Sequence, residues 1–303
     1  FVESRGLVSA MSDALRDRAL QVLLPLRHVA WGANMNNASI CAYGYGTAFT
    51  APAMFHAMDD LGVAQLITRL ALALDEPAVL DAGKRAWLED PRWQGLRRYV
   101  EDSFVVQDPV ELFVAQNLAL DGLLYPLICG HFVDDHLALQ GGTAVAILTS
   151  FMPEWHDETA RWIDAVIKTM ASAAEPEAAG NRALLSEWFA HWADRAQAAL
   201  APVAEMALGE HGAAALGEVR AALRAADGML MVLSATAGVE IDTIRAWDYG
   251  VELQMPRMAF INKMDMEGAD FFGILERMRE LFGKAVMPLQ IPIGEGPDFK
   301  GVV

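Results

Sequence analysis

The hydrophobic residues of this chain repeat with a helical period up to about residue 208, and the period changes after residue 227. In the first part, apolar residues recur every three or four positions. Within 155–171, for example, Trp155, Ile163 and Met170 share one face, and Arg161 and Lys168 lie opposite. In the second part, short apolar runs alternate with helical segments, the pattern of β-α-β units around a parallel sheet. The sequence therefore predicts a mainly α protein that ends in a small α/β segment.

The helical part predicts one large all-α domain. The helix at 155–171 follows Pro153, and the next helix, 181–208, begins at Asn181, a residue type that caps helix N-termini well. The other predicted helices lie at 12–40, 52–74, 77–88, 109–128 and 134–152. The stretch 171–180, rich in alanine, glutamate and proline, is predicted as a loop between helices.

The α/β part is too short for a complete domain. Its predicted strands lie at 229–234, 257–262 and 286–293, with helices at 239–254 and 268–283 between them. A parallel sheet of this size has open edges and needs further elements to cover both faces. We interpret the segment as a fragment of a larger α/β domain.

Charge and cysteine content narrow the classes of function. A net charge of −17 disfavours nonspecific binding to nucleic acid or to anionic membranes. Cys41 and Cys129 lie far apart in apolar surroundings, which is typical of free thiols in a reducing cytoplasm. The apolar stretches 143–152 and 228–239 are shorter than the roughly 20 residues that span a bilayer. No signal-peptide pattern follows Phe1, so we expect a cytoplasmic protein whose sequence starts inside a longer one.

The histidines argue against a di-iron centre in this chain. None of the seven has Glu or Asp three positions before it, whereas di-iron bundles use Glu-x-x-His pairs. The densest group of potential ligands lies at 131–136, where His131 and Asp135 would share one helix face and could hold a single metal ion. We favour the alternative that 130–137 is a polar helix start. Because the sequence also lacks a nucleophile elbow and a cysteine–histidine pair, we expect no metal ligands and no catalytic residues.

Asparagine is concentrated where helical periodicity makes it unfavourable. The tract 28–37 contains Asn34, Asn36 and Asn37 within an apolar helical pattern. Buried amides need hydrogen-bond partners, so the tract predicts either an internal polar network or a contact with another subunit.

Several motifs of the helical part resemble the β subunit of bacterial multicomponent phenol hydroxylases. They are Leu-Pro-Leu-Arg-His (24–28), Trp-Gly-Ala-Asn-Met-Asn-Asn (31–37), Ala-Tyr-Gly-Tyr-Gly-Thr (42–47), Trp-Gln-Gly-Leu-Arg-Arg (93–98), Leu-Phe-Val-Ala-Gln-Asn (112–117) and Met-Pro-Glu-Trp-His (152–156). The resemblance implies a ferritin-like helical domain without di-iron ligands, at 1–216 and truncated at its N-terminus. It also implies a non-catalytic structural subunit that supports an iron-bearing α subunit, with α and γ as partners in an (αβγ)2 hydroxylase.

The end of the chain resembles part of the GTPase domain of elongation factor G. The matching tracts are 228–240, 259–265 and 291–296, and the resemblance implies a partial domain at 217–303. It implies that Asp265 would accept hydrogen bonds from guanine, that Asn262 would hold the loop and that Lys263 would lie over the base. We call Asn262 to Asp265 the guanine loop.

The sequence lacks the loop that would hold the phosphates of GTP. Such a loop has the pattern Gly-x4-Gly-Lys-Ser/Thr. The chain has two Gly-Lys dipeptides, at 83–84 and 283–284, and Arg85 and Ala285 follow them instead of a hydroxyl residue. We therefore predict a vestigial guanine loop, no useful GTP binding and no hydrolysis.

The two resemblances meet in a short tract that fits both families. Residues 217–225 could end the β subunit or begin the GTPase segment, which places the seam of an apparent chimera within about 208–228. Three functions follow as hypotheses: a structural hydroxylase β subunit, a GTP-binding translation-factor fragment, and a helical metal-binding protein using His131 and Asp135. We favour the first because it accounts for most of the chain.

Overall fold

The computed structural model describes residues 2, 4–172, 177–224, 229–240, 243, 244, 247, 251, 257–284, 286–294 and 296–303. The chain divides into two compact units, Phe1–Leu223 and Arg224–Val303. The first unit is helical, and the second contains the described strands. The predicted fold class, mainly α with a small α/β segment, is confirmed.

The helices of the first unit follow one another through short connections. They are α1 (Asp13–Leu23), α2 (Leu26–Tyr43), α3 (Thr47–Leu74), α4 (Val79–Glu89), α5 (Pro91–Ser103), α6 (Pro109–Gln140), α7 (Thr143–Thr149), α8 (Phe151–Ala171), α9 (Glu177–Leu208) and α10 (Gly212–Arg224). Capping residues fix several of their starts. Ser12 accepts a hydrogen bond from the Leu15 N–H, and Asp90 and Asp108 cap α5 and α6, each directly before a proline.

Helix α6 runs through the core of this unit. Leu120, Leu127 and Phe132 are fully buried, and the helix has π-type hydrogen bonding at Val114–Leu120 and Pro126–Leu137. Such turns are rare and often lie at functional sites. Among the described residues, α6 is the one helix long and apolar enough to cross a membrane, but 83% of its most apolar stretch is buried against the rest of the protein, which is typical of a core helix.

The second unit contains a parallel strand pair covered by one described helix. Strand β1 (Met229–Ser234) pairs with β2 (Arg257–Asn262), with Val232 opposite Phe260. Helix α11 (Phe271–Phe282) buries Ile274 and Met278 in a cluster with Met231 and Leu233. A short antiparallel pair, β3 (Pro292–Ile293) and β4 (Gly301–Val302), follows. The opposite face of β1 and β2 leaves Val232 and Phe260 exposed, as expected for an incomplete domain.

Some predicted helix boundaries are wrong. The helix predicted at 12–40 is two helices, because Pro25 lies between α1 and α2. The prediction that 130–137 is a helix start is wrong, because α6 continues without a break through Gly130 to Gln140. The helix predicted to end at Met152 is divided, and α8 begins at Phe151.

The third predicted strand, 286–293, forms only at Pro292–Ile293. Pro288 and Pro292 lack the backbone N–H that a longer ladder would need. The helix predicted at 239–254 lies largely outside the described residues, as do 173–176 of the predicted inter-helix loop and 225–228 of the predicted seam.

Candidate functional site

A layer of side-chain amides fills the space between α2 and α6. Asn36 and Asn37 come from α2, and Gln116 and Asn117 come from the first π segment of α6; each is at most 1% exposed. Asn37 and Asn117 exchange two hydrogen bonds, Nδ2 to Oδ1 in each direction, at 3.1 and 2.8 Å. Asn36 Nδ2 donates to Gln116 Oε1 at 2.8 Å and to Ser103 Oγ at 2.8 Å. The internal polar network predicted from the asparagine tract is therefore confirmed.

Two carboxylates extend this amide layer toward α3. Asn37 Nδ2 donates to Asp60 Oδ2 at 2.9 Å, and Gln116 Nε2 donates to Asp121 Oδ1 at 3.0 Å. The second oxygen of each carboxylate lies 3.9 Å from Nε2 of His56. All three of these residues are buried. His56 Nε2, Asp60 Oδ1 and Asp121 Oδ2 have no hydrogen-bond partner. We call these three residues the His–Asp–Asp cluster.

Burial and mutual proximity set the pKa values in the cluster. Burial alone lowers the pKa of His56, but the carboxylates of Asp121 and Asp60 outweigh this effect and raise it above its ordinary value. Burial raises the pKa of Asp60 well above its ordinary value, although His56 acts in the opposite direction. Both groups therefore hold a proton more strongly than they would in water.

Aromatic rings from α6 and α8 enclose the cluster. The His56 ring stacks on Trp155 with centroids 5.0 Å apart, and Tyr125 meets Trp155 edge to face at 5.1 Å. His156 stacks on Tyr125 at 5.2 Å, and burial lowers the pKa of His156. The Trp155 indole N–H donates to Asp59 Oδ2 at 3.2 Å, at the partly exposed rim. An apolar cavity of about 20 Å³ lies nearby, lined by side chains that include Val63, Ile67, Tyr125 and Met152.

The cluster does not fit a di-iron centre. A carboxylate-bridged pair of irons in a helical bundle takes Glu side chains and Glu-x-x-His pairs from facing helices. Here His56 and Asp60 are four positions apart on α3, and the neighbouring interior positions carry amides. Among the residues the structure describes, no group of three or more His, Cys, Asp or Glu side chains has an arrangement that could hold a metal ion.

The predicted pair His131 and Asp135 lies together on α6. His131 Nδ1 is 3.9 Å from Asp135 Oδ2, and the Asp135 side chain is 75% exposed. Two ligands at an exposed site make a weak metal centre, and Asp134 also faces solvent. The pair has the geometry of a surface contact between helical neighbours.

The guanine loop lies at the carboxyl end of β2. Asn262, Lys263 and Asp265 are exposed in one turn, and Met264 is buried beneath them. Lys263 has φ 63°, and Asn262 Oδ1 accepts a hydrogen bond from the Lys263 N–H at 2.9 Å. The turn is also closed by the Met266 N–H, which donates to the Lys263 carbonyl. The structure brings the three predicted residues together, and their role in nucleotide binding stays a prediction.

Sequence reasoning missed the His–Asp–Asp cluster. The di-iron pattern places an acidic residue three positions before a histidine, whereas Asp60 follows His56 by four positions. A histidine and an aspartate at i and i+4 within the apolar α3 was the available signal. Asp121 has no such local signal, because α6 brings it to His56 only through folding.

Comparison with protein families finds two matches in separate parts of the chain. The model of the methane/phenol/alkene hydroxylase family matches residues 1–174. The model of the elongation factor Tu GTP-binding domain matches residues 216–296. Both resemblances identified from the motifs are therefore confirmed.

Individual relatives follow the same division. The oxygenase component DmpL of phenol 2-monooxygenase from Pseudomonas sp. strain CF600 is 48% identical over 73% of this chain and 65% of its own length. The component MhpL from Acinetobacter pittii is 41% identical over 69% of this chain and 62% of its own length. The chain thus spans less than two thirds of either relative. Elongation factor G 1 from Treponema denticola is 46% identical over 28% of this chain and 13% of its own length.

Solved structures match the helical unit. Xenon-pressurised phenol hydroxylase from Pseudomonas sp. OX1 aligns with a TM-score of 0.68 and 40% identity, covering 74% of this chain and 66% of that chain. Toluene 4-monooxygenase with toluene in its resting active site aligns with a TM-score of 0.60 and 18% identity, covering 71% and 68%. At that identity the second match shows a shared fold.

Proposed function

This chain belongs to the methane/phenol/alkene hydroxylase family, and we propose that within it the chain acts as a non-catalytic structural β subunit that supports an iron-bearing α subunit. The amide layer carries this proposal. Asn36, Asn37, Gln116 and Asn117 fill the bundle interior with neutral side chains that satisfy one another. Carboxamides are poor iron ligands compared with carboxylate and imidazole, so this interior is built for packing helices together rather than for oxygen chemistry.

The size of the nearby cavity supports the same proposal. Ligand pockets usually enclose about 300–1,000 Å³. The apolar cavity beside the cluster is about 20 Å³, close to the size of one water molecule. A phenol ring does not fit there. In the proposed complex, oxidation of the aromatic substrate takes place in the α subunit.

Exposed apolar side chains on α2 and α3 offer a docking surface for that α subunit. Trp31 is 51% exposed and Phe55 is 71% exposed. Asn34 Nδ2 donates to the Ala57 carbonyl at 2.7 Å, so the middle of α2 packs beside this part of α3. We call the exposed side chains around this contact the α2–α3 face: Trp31, Met35, Met54, Phe55 and Met58. Aromatic residues and methionine are enriched at protein interfaces, which favours this face as the contact with the α subunit. The complex that we propose is a cytoplasmic (αβγ)2 hydroxylase.

Co-purification with a phenol hydroxylase α subunit tests this proposal. The expected result is capture of an iron-containing α subunit by the full chain, with the iron following α when the two are separated. Phe55→Asp should weaken capture at least about thirtyfold, since an interface hot spot is worth about 2 kcal/mol or more. Leu72→Asp is the matched control, because Leu72 is an exposed apolar residue on the same helix outside the α2–α3 face. Absence of capture by the folded wild-type chain, or equal losses in both variants, would refute the proposal.

For the C-terminal unit we propose a vestigial guanine loop without nucleotide function. A single carboxylate contact to the base contributes about 1.5–3 kcal/mol. Without phosphate contacts this corresponds to a dissociation constant weaker than about 1 mM. The alternative, a GTP-binding translation-factor fragment, is favoured by the family match over 216–296 and by the closed turn that presents Asn262, Lys263 and Asp265.

We further propose that the two parts were joined by recombination or by an error of sequence assembly. The match to the hydroxylase family ends at residue 174, and the match to the GTP-binding domain begins at residue 216. Residues 217–225 fit the sequence pattern of both families. An intact single-molecule read of genomic DNA across codons 200–235 would establish a real fusion. Separate reads for the two halves would show an assembly error.

A further inference from the structure

The His–Asp–Asp cluster presents three polar atoms that need partners. His56, Asp60 and Asp121 are at least 96% buried by residue surface, and Nε2, Oδ1 and Oδ2 of these residues converge without a hydrogen bond. Nε2 lies 3.9 Å from each oxygen, which is beyond hydrogen-bond reach. An unsatisfied buried polar atom costs about 1–3 kcal/mol, and native proteins rarely leave one unpaired.

The other atoms of these carboxylates are already engaged. Asp60 Oδ2 accepts from Asn37, and Asp121 Oδ1 accepts from Gln116. These amide donors hold both carboxylates in place, so neither can turn toward His56 without breaking a buried bond. The spacing of 3.9 Å is therefore held by the amide layer.

That spacing suits a water oxygen better than a metal ion. Zinc bonds of about 2.0–2.2 Å with tetrahedral angles place ligand atoms about 3.4 Å apart. A water oxygen could lie about 2.8 Å from His56 Nε2 and from each of the two carboxylate oxygens. Because Nε2 is 3.9 Å from each carboxylate oxygen, the angle at the water between Nε2 and either oxygen would be about 90°. Water also has the matching valence, because it can accept from the His56 N–H and donate one hydrogen to each carboxylate.

We propose that His56, Asp60 and Asp121 form a hydrated proton-sharing site, in which one buried water bridges the three side chains and one proton is shared between the ring and a carboxylate. In one form, His56 is an imidazolium whose Nε2–H donates to the water, and the water donates to both carboxylates. In the other, the Nε2 proton has passed to the water and a water proton has passed to Asp60 Oδ1. Both forms contain the same atoms and the same net charge of −1.

The surroundings explain why the shared proton matters to the fold. Other titratable groups that interact with the site are Asp59 on α3, Tyr99 on α5, Tyr125 on α6 and His156 on α8. Asp59 adds negative charge, burial raises the pKa values of Tyr99 and Tyr125 well above their ordinary values, and burial lowers the pKa of His156. None of these four groups supplies a compensating positive charge near neutral pH. Loss of the shared proton would leave two buried carboxylates facing each other across α3 and α6.

The sign of the pH dependence follows from both raised pKa values. A group whose pKa is raised by folding contributes stability that is complete below its unfolded pKa and is lost as pH rises through its folded pKa. We therefore expect the contribution of Asp60 to be complete only below its unfolded pKa of 3.8, and that of His56 only below its unfolded pKa of 6.5. Each contribution should decline as pH rises above that value and should be lost above the raised pKa of the folded state.

A crystal structure of the full chain, with anomalous data collected across transition-metal edges, tests the bridging water directly. The expected result is an oxygen at about 2.8 Å from His56 Nε2, Asp60 Oδ1 and Asp121 Oδ2, without an anomalous signal. An anomalous peak at that position, or a direct contact between Nε2 and either carboxylate, would overturn the proposal.

Histidine NMR of the folded wild-type chain tests the shared proton without any variant. The His56 resonances should titrate above the ordinary range, whereas Asp60→Asn should lower that titration and flatten the pH dependence of unfolding. Asp135→Asn is the matched control, because His131 and Asp135 have the same i,i+4 spacing and the same 3.9 Å separation at an exposed site. A His56 ring that titrates at or below its ordinary pKa in the wild type would refute proton sharing.

Discussion

Replacing Asn37 by alanine should remove the central support of the amide layer. The Asn37 side chain is 0% exposed and makes three hydrogen bonds, to Asp60 at 2.9 Å and with Asn117 at 3.1 and 2.8 Å. Asn37→Ala would leave Asp60 Oδ2 and both polar atoms of the Asn117 amide without these partners. At about 1–3 kcal/mol for each unsatisfied atom, partly relieved by entering water, we expect a loss of about 3–5 kcal/mol.

Urea unfolding followed by helical circular dichroism measures this loss, because nearly all the described helix lies in the first unit. With a slope of about 2 kcal/mol per molar urea, the midpoint should fall by about 2 M. Asn34→Ala is the matched control on the same helix: its half-buried amide makes one hydrogen bond, to the Ala57 carbonyl, and its removal should cost about 1 kcal/mol. Equal losses in the two variants would refute the argument that the amide layer determines the packing of α2, α3 and α6.

Other consequences of the structure can be measured on the same protein. Gly32→Ala should destabilise the protein by about 1–3 kcal/mol, because the new Cβ would lie 2.5 Å from Val100 Cγ1. The Cβ added by Gly62→Ala would meet no atom within 4 Å, so this variant should be more stable by up to about 1 kcal/mol. Thermal unfolding of both variants measures the two effects. A thiol reagent at neutral pH should modify Cys41 in the folded chain and Cys129 only after unfolding, since burial raises the pKa of Cys129 to about 12; mass spectrometry of the labelled peptides reports the order. A fluorescent GDP analogue should show no saturable binding up to about 1 mM, with intact elongation factor G as the positive control, and tight binding would contradict the vestigial interpretation of the guanine loop.

Local sequence rules predicted those parts of the fold that depend on neighbours along the chain. Asparagines at 34, 36 and 37 indicated a polar network because an amide inside an apolar helix has to find a partner. The same rules failed where the partner is distant. His56 and Asp121 are separated by two helices in sequence, and only the packing of α3 against α6 reveals that they face each other.

Helix and strand boundaries were also predicted incompletely from the pattern of apolar residues. The period of the apolar residues predicted helices through 12–40 and a strand through 286–293, but backbone chemistry divided the first and shortened the second. Pro25 interrupts the helix, and Pro288 and Pro292 remove ladder donors from the strand. Periodicity reports which face is buried, whereas proline decides how far the hydrogen-bonded element extends.

The two candidate sites differ in what their geometry says about function. The guanine loop is closed by bonds within one turn, from the Lys263 N–H to Asn262 Oδ1 and from the Met266 N–H to the Lys263 carbonyl. A turn of this kind keeps its shape wherever the segment is placed, so its shape is weak support for a surviving nucleotide site. The amide layer and the His–Asp–Asp cluster depend on side chains from α2, α3 and α6 meeting in one register. Such an arrangement forms only if the helical unit folds as a whole, and for that reason the role of this chain is better argued from its helical interior than from its more recognisable loop.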